Sequence, residues 1–435
     1  MNDSMLHKRP AYQLILFRFF CIYFLLSTAI WSWFGSFPWF TFLGTFSTWL
    51  TETYTDLFNT YIFQVKEELV PTRGSGDTSM GWATLYAQLF IALTGSIIWS
   101  VMDRNRTHYR WGSWVIHNIV RYYVILFAFI YGTIKIFWLQ MPSPSNSYYA
   151  TDLGNFSAMR FSWNFIGYSK GYEFFSGLME VLVGLFLLYR RTIVLGALLG
   201  IGVFTNVFLL NMSYDIPVKI FSFQLLFACL FISLSNLRRI MGFLLLNRTV
   251  APDTSWDLLS DNLWFKRTRL TLKSIFILCF VLYPFYDYYN AYASRNGNTA
   301  PLPFESGFYI VKNFVLNGDT IPAEVDSKIH WKELAIDNGS RGSIGLVDST
   351  FSVRYGRSYF YHYGLDSTKT VLTIKRFRSD TTPLFQGTYK ELANKGLRLS
   401  GMYKSQDSLQ LDLIWDDRDY QLARKEFNWM LESVP

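Results

Sequence analysis

The residues of this chain whose types and spacing could do chemistry are ionisable and amide side chains set inside long apolar runs. In residues 112–139, His117, Arg121, Tyr131 and Lys135 recur at intervals of 4, 10 and 4, which places them near one face of a helix. In residues 172–189, Tyr172, Ser176 and Glu180 are spaced by four, and Glu180 sits near the middle of the apolar run. Charges in such runs are costly and usually face the interior of a bundle, where they pair or act on a ligand. Counted from the basic end of each run, Arg121 and Glu180 both lie roughly 13 Å deep. Arg121 is therefore the expected partner of Glu180, with Arg18 as a competitor. Such a pair can simply register two helices, or the carboxylate can carry proton or redox chemistry or touch a ligand headgroup. Glu180, Arg121 and Lys135 are the candidate catalytic groups.

A second polar layer is expected near the other end of the same runs. Asn206 and Asn211 precede Asp215-Ile216-Pro217, and Lys219 follows one turn later. Together with Tyr131, Lys135, Trp163 and Tyr172 these residues, Asn206, Asn211, Asp215 and Lys219, form the expected lining of one cavity, with Glu180 at its floor. The bland alternative is that Asp215 and Lys219 only cap the helix they precede.

Other chemistries have little support. The three cysteines, Cys21, Cys229 and Cys279, lie in apolar runs without a C-x-x-C spacing, so neither a disulfide framework nor a thiolate metal site is indicated. The five histidines form no H-E-x-x-H pair, and no P-loop, G-x-S-x-G or dinucleotide fingerprint occurs. No metal is expected at Asp416, Asp417 and Asp419, which read as a charged turn around Arg418, nor at His362 in its aromatic strand.

The elements that must position these residues follow from composition. Charged residues make up 17% of the 435, against about 25% in ordinary soluble domains, so a wholly soluble reading is poor. Seven runs reach the roughly 20 residues needed to cross a hydrocarbon core: 12–34, 80–102, 112–139, 172–189, 192–210, 217–236 and 270–289. With the N-terminus inside, fourteen basic residues fall on the cytoplasmic side and four outside, a clear positive-inside bias. The protein is thus expected in the plasma (inner) membrane, multi-pass, with residues 295–435 extracytoplasmic. Residues 1–294 hold 22 Lys+Arg against 15 Asp+Glu, and this excess flanks apolar runs, which excludes a nucleic-acid reading. Two outer segments, 35–79 with Trp39, Phe40, Trp49, Tyr54 and Tyr61, and 140–171, are expected at the headgroup level or as a cap over the bundle. Gly177, Gly184, Gly196, Gly200 and Gly202 point to close helix packing.

Beyond Gly307, runs rich in Val, Ile, Phe, Tyr and Thr (308–316, 343–347, 351–355, 370–376, 396–402 and 408–415) alternate with turn signals such as Asn317-Gly318-Asp319, Asp337-Asn338-Gly339 and Ser405-Gln406-Asp407. The expected fold is an α-helical polytopic membrane bundle of about seven transmembrane helices, residues 1–294, followed by an all-β antiparallel barrel or sandwich of eight to ten strands, residues 295–435. Such a barrel can hold one small ligand or be filled by its own side chains.

Trp163-x-Phe165-x-Gly167-x-Ser169-x-x-Tyr172-x-x-Phe175-x-Gly177-x-x-Glu180, Arg190-Arg191-Thr192, Leu195-Gly196, Asn206, and Leu210-Asn211-x-x-Tyr214-Asp215-Ile216-Pro217-Val218-Lys219 resemble the core of the DoxX-like membrane family over residues 110–240. Tyr131-Gly132-x-x-Lys135 with Gln140-Met141-Pro142 resembles the larger seven-span members. The tail, with Asn317-Gly318, Trp331 and Tyr420-x-Leu422-x-x-x-x-Phe427-x-Trp429, resembles their extra domain. It departs at Lys425-Glu426-Phe427-Asn428-Trp429, where a histidine would be expected. A looser likeness, resting on Lys135, is to the membrane domain of vitamin K-dependent carboxylases. The resemblance implies a lipid-soluble, quinone-like ligand in the bundle and a membrane or periplasmic redox protein as partner, beside membrane lipids. The competing readings are a lipid or amphiphile binding and transport protein, and a scaffold whose β domain docks a partner.

Single cysteines introduced at positions 106 and 380 test the orientation: impermeant maleimide added to intact cells should label position 380 and leave position 106 unmodified until the membrane is broken.

Overall fold

In an apolar surrounding every backbone N–H and C=O must be paired within its own segment, so the apolar runs fold as helices. The computed structural model describes residues 10–36, 38–72, 76–141, 143–251, 263–295, 297, 299, 305–322, 329–347, 357–363, 371–377 and 380–424. The helical elements are α1 (Ala11–Thr28), α2 (Thr41–Phe58), α3 (Ser79–Met102), α4 (Arg110–Ile136), α5 (Asn146–Tyr149), α6 (Ala158–Tyr168), α7 (Lys170–Leu188), α8 (Ile193–Ser213), α9 (Lys219–Leu234), α10 (Leu237–Leu244), α11 (Leu263–Ile277) and α12 (Tyr283–Asn290). Among the described residues six helical stretches are long and apolar enough to cross a membrane, and α9 with α10, bent by 79° at their junction, makes a seventh if the pair counts as one.

Two expected loops contain helices. The 35–79 segment holds α2, whose eighteen residues TFLGTFSTWLTETYTDLF carry too many threonines and acids to register as a span. The 140–171 segment holds α5 and α6, the latter opened by the Ser157 hydroxyl accepting from the Arg160 N–H at 3.4 Å.

The chain divides into two compact units, residues 1–133 with 177–284, and residues 134–176 with 285–435. The composition boundary after residue 294 therefore assigns residues 134–176 differently from the packing. In the first unit, Phe24, Val120, Val124, Ile125, Val183, Leu187, Ala197, Phe204 and Ile232 belong to one buried core. Two glycines mark close approaches between helices. A side chain at Gly132 would meet the Gly177 carbonyl at 2.8 Å and the Val181 nitrogen at 2.9 Å, and one at Gly200 would meet the Cys229 Sγ at 2.6 Å. Gly202 has open space around it and does not share in this packing.

In the second unit the strands are β1 (Gly307–Leu316), β2 (Asp319–Thr320), β3 (Trp331–Ile336), β4 (Gly342–Leu346), β5 (Ser358–Tyr363), β6 (Val371–Lys375), β7 (Phe385–Glu391), β8 (Leu397–Tyr403) and β9 (Asp407–Asp416). All pairings are antiparallel, and β9 returns to pair with β1, so eight strands run round as an up-and-down meander with β2 as a short flap on β1. Asn317 (φ 51°) and Gly318 (φ 92°) form the two-residue turn between β1 and β2, the conformation that an Asn-Gly pair favours. Tyr309, Phe314, Trp331, Phe360, Phe385, Leu399 and Leu411 pack together, so these strands fill their interior with their own side chains. The expected strand at 351–355 and the motif residues Phe427 and Trp429 lie outside the described residues. His362 pairs through its backbone with Ile374, and its side chain lies outside what is described.

The 134–176 segment joins this barrel through α5. The Ser147 N–H donates to the Asp337 carboxylate at 2.8 Å, and the Asn146 side chain donates to the Ile336 carbonyl at 2.8 Å. Burial pushes the Asp337 carboxyl above its ordinary value, although Ser147 and Ser145 donate to it. Beside it, Glu333 of β3 lies between Arg357, an ion pair, and Arg418 at 2.8 Å, and Arg357 also donates to the Ala150 carbonyl at 3.4 Å. Arg418 is thus held by Glu333 and by Asp416 at 2.5 Å rather than exposed in a turn.

Burial alone would raise the Glu333 carboxyl, but the Arg357 and Arg418 guanidinium groups outweigh it and hold it below its ordinary value. Its contribution to stability is then present above the unfolded value near 4.5 and lost as pH falls through the lower folded value. Glu333→Gln should cost roughly 3 to 5 kcal/mol at neutral pH, with the gap from wild type shrinking in acid, as read by β-domain unfolding followed across pH.

Candidate functional site

The expected lining does not fall in one compact unit. Lys135, Trp163 and Tyr172 belong with the β domain, whereas Arg121, Tyr131, Glu180, Asn206, Asn211, Asp215 and Lys219 belong to the helical unit.

Within the second unit a buried polar cluster forms where α4 ends and α7 begins. Lys135, on the last turn of α4, is 4% exposed, and Glu173, on the first turn of α7, is fully buried. The positive charge of Lys135 acts on the Glu173 carboxylate, which also accepts the Met141 N–H at 3.1 Å. The chain can turn there because Trp138 adopts φ 51° and its N–H bonds back to the Lys135 carbonyl at 2.9 Å. The Trp138 indole then donates to the Lys170 carbonyl at 3.0 Å, and the Ser169 hydroxyl caps α7 by accepting from the Tyr172 N–H at 3.2 Å. The turn and the helix start are thereby tied together, and both carry the residues of the cluster.

Gln140 Oε1, Ser162 Oγ, Trp163 Nε1 and Glu173 Oε2 are among the buried polar atoms of this segment that have no hydrogen-bond partner among the described residues. Buried polar atoms are normally paired, and an unpaired one costs about 1 to 3 kcal/mol. Gln140 and Glu173 thus offer acceptors, and Trp163 and Ser162 donors, each of a kind that pairs with a carbonyl, hydroxyl or water. The Trp163 ring is further fixed by Arg160, whose guanidinium lies 5.4 Å from its centroid. Tyr172, half exposed, points out of this packing.

Glu173, Gln140 and Ser162 were not among the expected site residues. Glu173 precedes Glu180 by two turns on α7, which was the available signal. A carboxylate in the first turn of a helix ordinarily reads as a solvated partner of the helix dipole, and only the 134–176 segment buries it.

In the first unit the expected residues have local duties. Arg121, 5% exposed, sends Nε to the Leu187 carbonyl at 2.5 Å and Nη2 to the Leu188 carbonyl at 3.1 Å, closing the C-terminal end of α7 two turns beyond Glu180. These two contacts hold the arginine against the end of α7. Arg18 acts likewise on α3, donating to the Asp103 carbonyl at 2.9 Å, the Ser100 hydroxyl at 2.8 Å and the Tyr109 hydroxyl. Glu180 is 2% exposed, and its charge acts on Tyr131, whose ring lies 5.6 Å from that of Phe221.

Asn211, Asp215 and Lys219 build the turn into α9. Asn211 donates to the Ser222 hydroxyl at 3.0 Å, and Lys219 pairs with Asp215 at 2.6 Å, where Asp215 is held at φ 50°. The cap itself comes from Asp77, which accepts the Lys219 and Ile220 N–H groups at 2.8 and 3.1 Å. Nothing around Asp77 in the sequence announces a cap 142 residues away. Asn206 is exposed on α8. Among the described residues no three His, Cys, Asp or Glu side chains form a metal-binding group.

If the Met141 N–H is the contact that fixes Glu173, Glu173→Gln should melt within about 1 kcal/mol of wild type, whereas Glu173→Leu should lose about 1 to 3 kcal/mol by orphaning that donor. Thermal unfolding in detergent distinguishes them.

No protein-family model matches the chain, and no solved structure does. The chain is similar to YwoB, an uncharacterized protein of Bacillus subtilis (strain 168), at 38% identity over 81 residues. That stretch is 19% of this chain and spans about half, 53%, of the relative.

Proposed function

We propose that the protein is a multi-pass protein of the plasma (inner) membrane that binds a lipid-soluble, quinone-like molecule through the polar cluster of Lys135 and Glu173, as part of or accessory to a membrane redox complex. The observation that carries this reading is a fully buried carboxylate beside a buried lysine, with polar atoms of Gln140, Ser162 and Trp163 turned inward from the same segment. A pocket for an amphiphile needs aromatic walls and a few fixed polar groups, and Trp163, Gln140 and Lys135 are of that kind. Lys135 would donate to a carbonyl oxygen of the ligand, with the Trp163 N–H as a second donor, and Glu173 would accept from a hydroxyl. A carboxyl and an ammonium side by side can also exchange a proton with a group that changes its own protonation on reduction. The redox change itself would belong to the ligand and a partner protein. The basic bias of the loops supports a cytoplasmic N-terminus and an extracytoplasmic β domain.

The test is to purify the full chain in mild detergent, extract it with solvent and identify what is retained by mass spectrometry. A quinone-like compound should be present in wild type and reduced by roughly ten- to a hundredfold in Lys135→Met, the loss of one hydrogen bond to a charged group. A redox-silent lipid in its place would favour the carrier reading. Equal retention by wild type and variant would refute the site.

A further inference from the structure

The eleven residues of α6 rise about 16 Å, half of the roughly 30 Å of a hydrocarbon core, so this helix is too short to cross a membrane. Its side chains are nevertheless sorted for an apolar surrounding. Ser162, Ile166 and Gly167 are buried, whereas Phe161 and Phe165, one turn apart on the opposite face, are 48% and 71% exposed. The outer face of a helix in water ordinarily carries charged or polar groups. Here it carries two phenylalanines.

This face continues onto a helix of membrane-spanning length. α7 begins after a single intervening residue, Ser169, whose hydroxyl accepts from the Tyr172 N–H at 3.2 Å, and on its first turns Tyr172 and Phe175 are half exposed. The charge of the stretch suits a headgroup layer: residues 153–172 hold Arg160 and Lys170 and no acid. The Arg160 guanidinium stands 5.4 Å from the Trp163 ring centroid and the Lys170 ammonium 5.3 Å from that of Trp138, pairs of the kind found where a membrane meets water. A second copy of the chain fits the face less well. Four half-exposed aromatic rings offer on the order of 400 Å², half of the ~800 Å² that each partner gives to a stable interface.

We propose that α6 lies at the headgroup boundary of the leaflet in which α7 begins, with Phe161 and Phe165 among the acyl chains, and that it anchors the β domain to the bilayer surface. An apolar face with basic residues beside it is how in-plane helices bind lipid. The link to the barrel is short. Arg160 donates to the Tyr148 hydroxyl at 3.3 Å, and α5, which carries Tyr148, is hydrogen-bonded to Ile336 and Asp337. α6, α5 and the barrel belong to one compact unit, so seating α6 seats the barrel. The proposal concerns the face of α6 away from Ser162 and does not depend on the Lys135 and Glu173 reading.

The test places the photoreactive analogue p-benzoylphenylalanine at position 165, and separately at position 161, in the full chain reconstituted in vesicles of phosphatidylcholine and phosphatidylglycerol. Phe377, 61% exposed and two residues beyond β6, is the reference position in the β domain. After irradiation, mass spectrometry should find acyl-chain adducts at 161 and 165 in roughly tenfold excess over 377, the preference of one aromatic side chain for hydrocarbon over water. Both positions are exposed, and if one variant fails to reconstitute the other carries the test. Adducts formed only with protein, whether a second copy or the chain's own β domain, refute the lipid seat, as do lipid yields at 161 and 165 no higher than at 377.

Discussion

The last carbonyl groups of a helix have no donor within it, and where such an end is buried the rest of the fold has to bring one. At the end of α7 that donor is Arg121. Its two bonds to Leu187 and Leu188 fix α4 against α7, and Lys273 adds α11 to the same oxygen. Gly132 permits the close approach between α4 and α7 that the contact requires. Arg18 repeats the solution on α3 through Asp103, Ser100 and Tyr109. Buried arginines in this helical unit thus serve as long-range caps, a use to which a planar group with five donors is well suited.

The complementary problem, a helix start with unpaired N–H groups, is met by acceptors brought from elsewhere in the chain. Asp77 serves α9, and Asp337 of the barrel serves the short α5. The second case has the larger consequence, since it attaches the 134–176 segment to the β domain. The segment that buries Glu173 beside Lys135 is therefore the one held by Asp337, and the polar cluster and the barrel share one compact unit.

Much of the architecture was legible in the chain itself. Apolar runs of about 20 residues and the alternation beyond Gly307 marked the helices and most strands, because burial on one face or all faces imposes a period that survives in composition. β7 was not anticipated: FQGTYKE has a central glycine and polar, half-exposed positions, so its pairing with β8 is decided by partners. α2 was read as loop, because its threonines favour neither a helix nor a span taken alone.

What the sequence determined by itself was that its long apolar runs are helices and its alternating runs strands, and which polar residues lie inside apolar runs; both depend on local periodicity and on the cost of leaving water. Partnership was decided only by the tertiary structure. Depth along two helices pointed from Arg121 to Glu180, but hydrogen bonds depend on rotation about the helix axis and on which chain end arrives, and the meeting of Arg121 with the Leu187 and Leu188 carbonyls could not be read from depth. Asp215 and Lys219 proved to be a turn and a cap completed by Asp77, and Glu173 joined Lys135 through a fold of the intervening segment. Contacts across 32 to 190 residues leave no local pattern, since each side chain reads the same in sequence whether its partner is water or a distant backbone group.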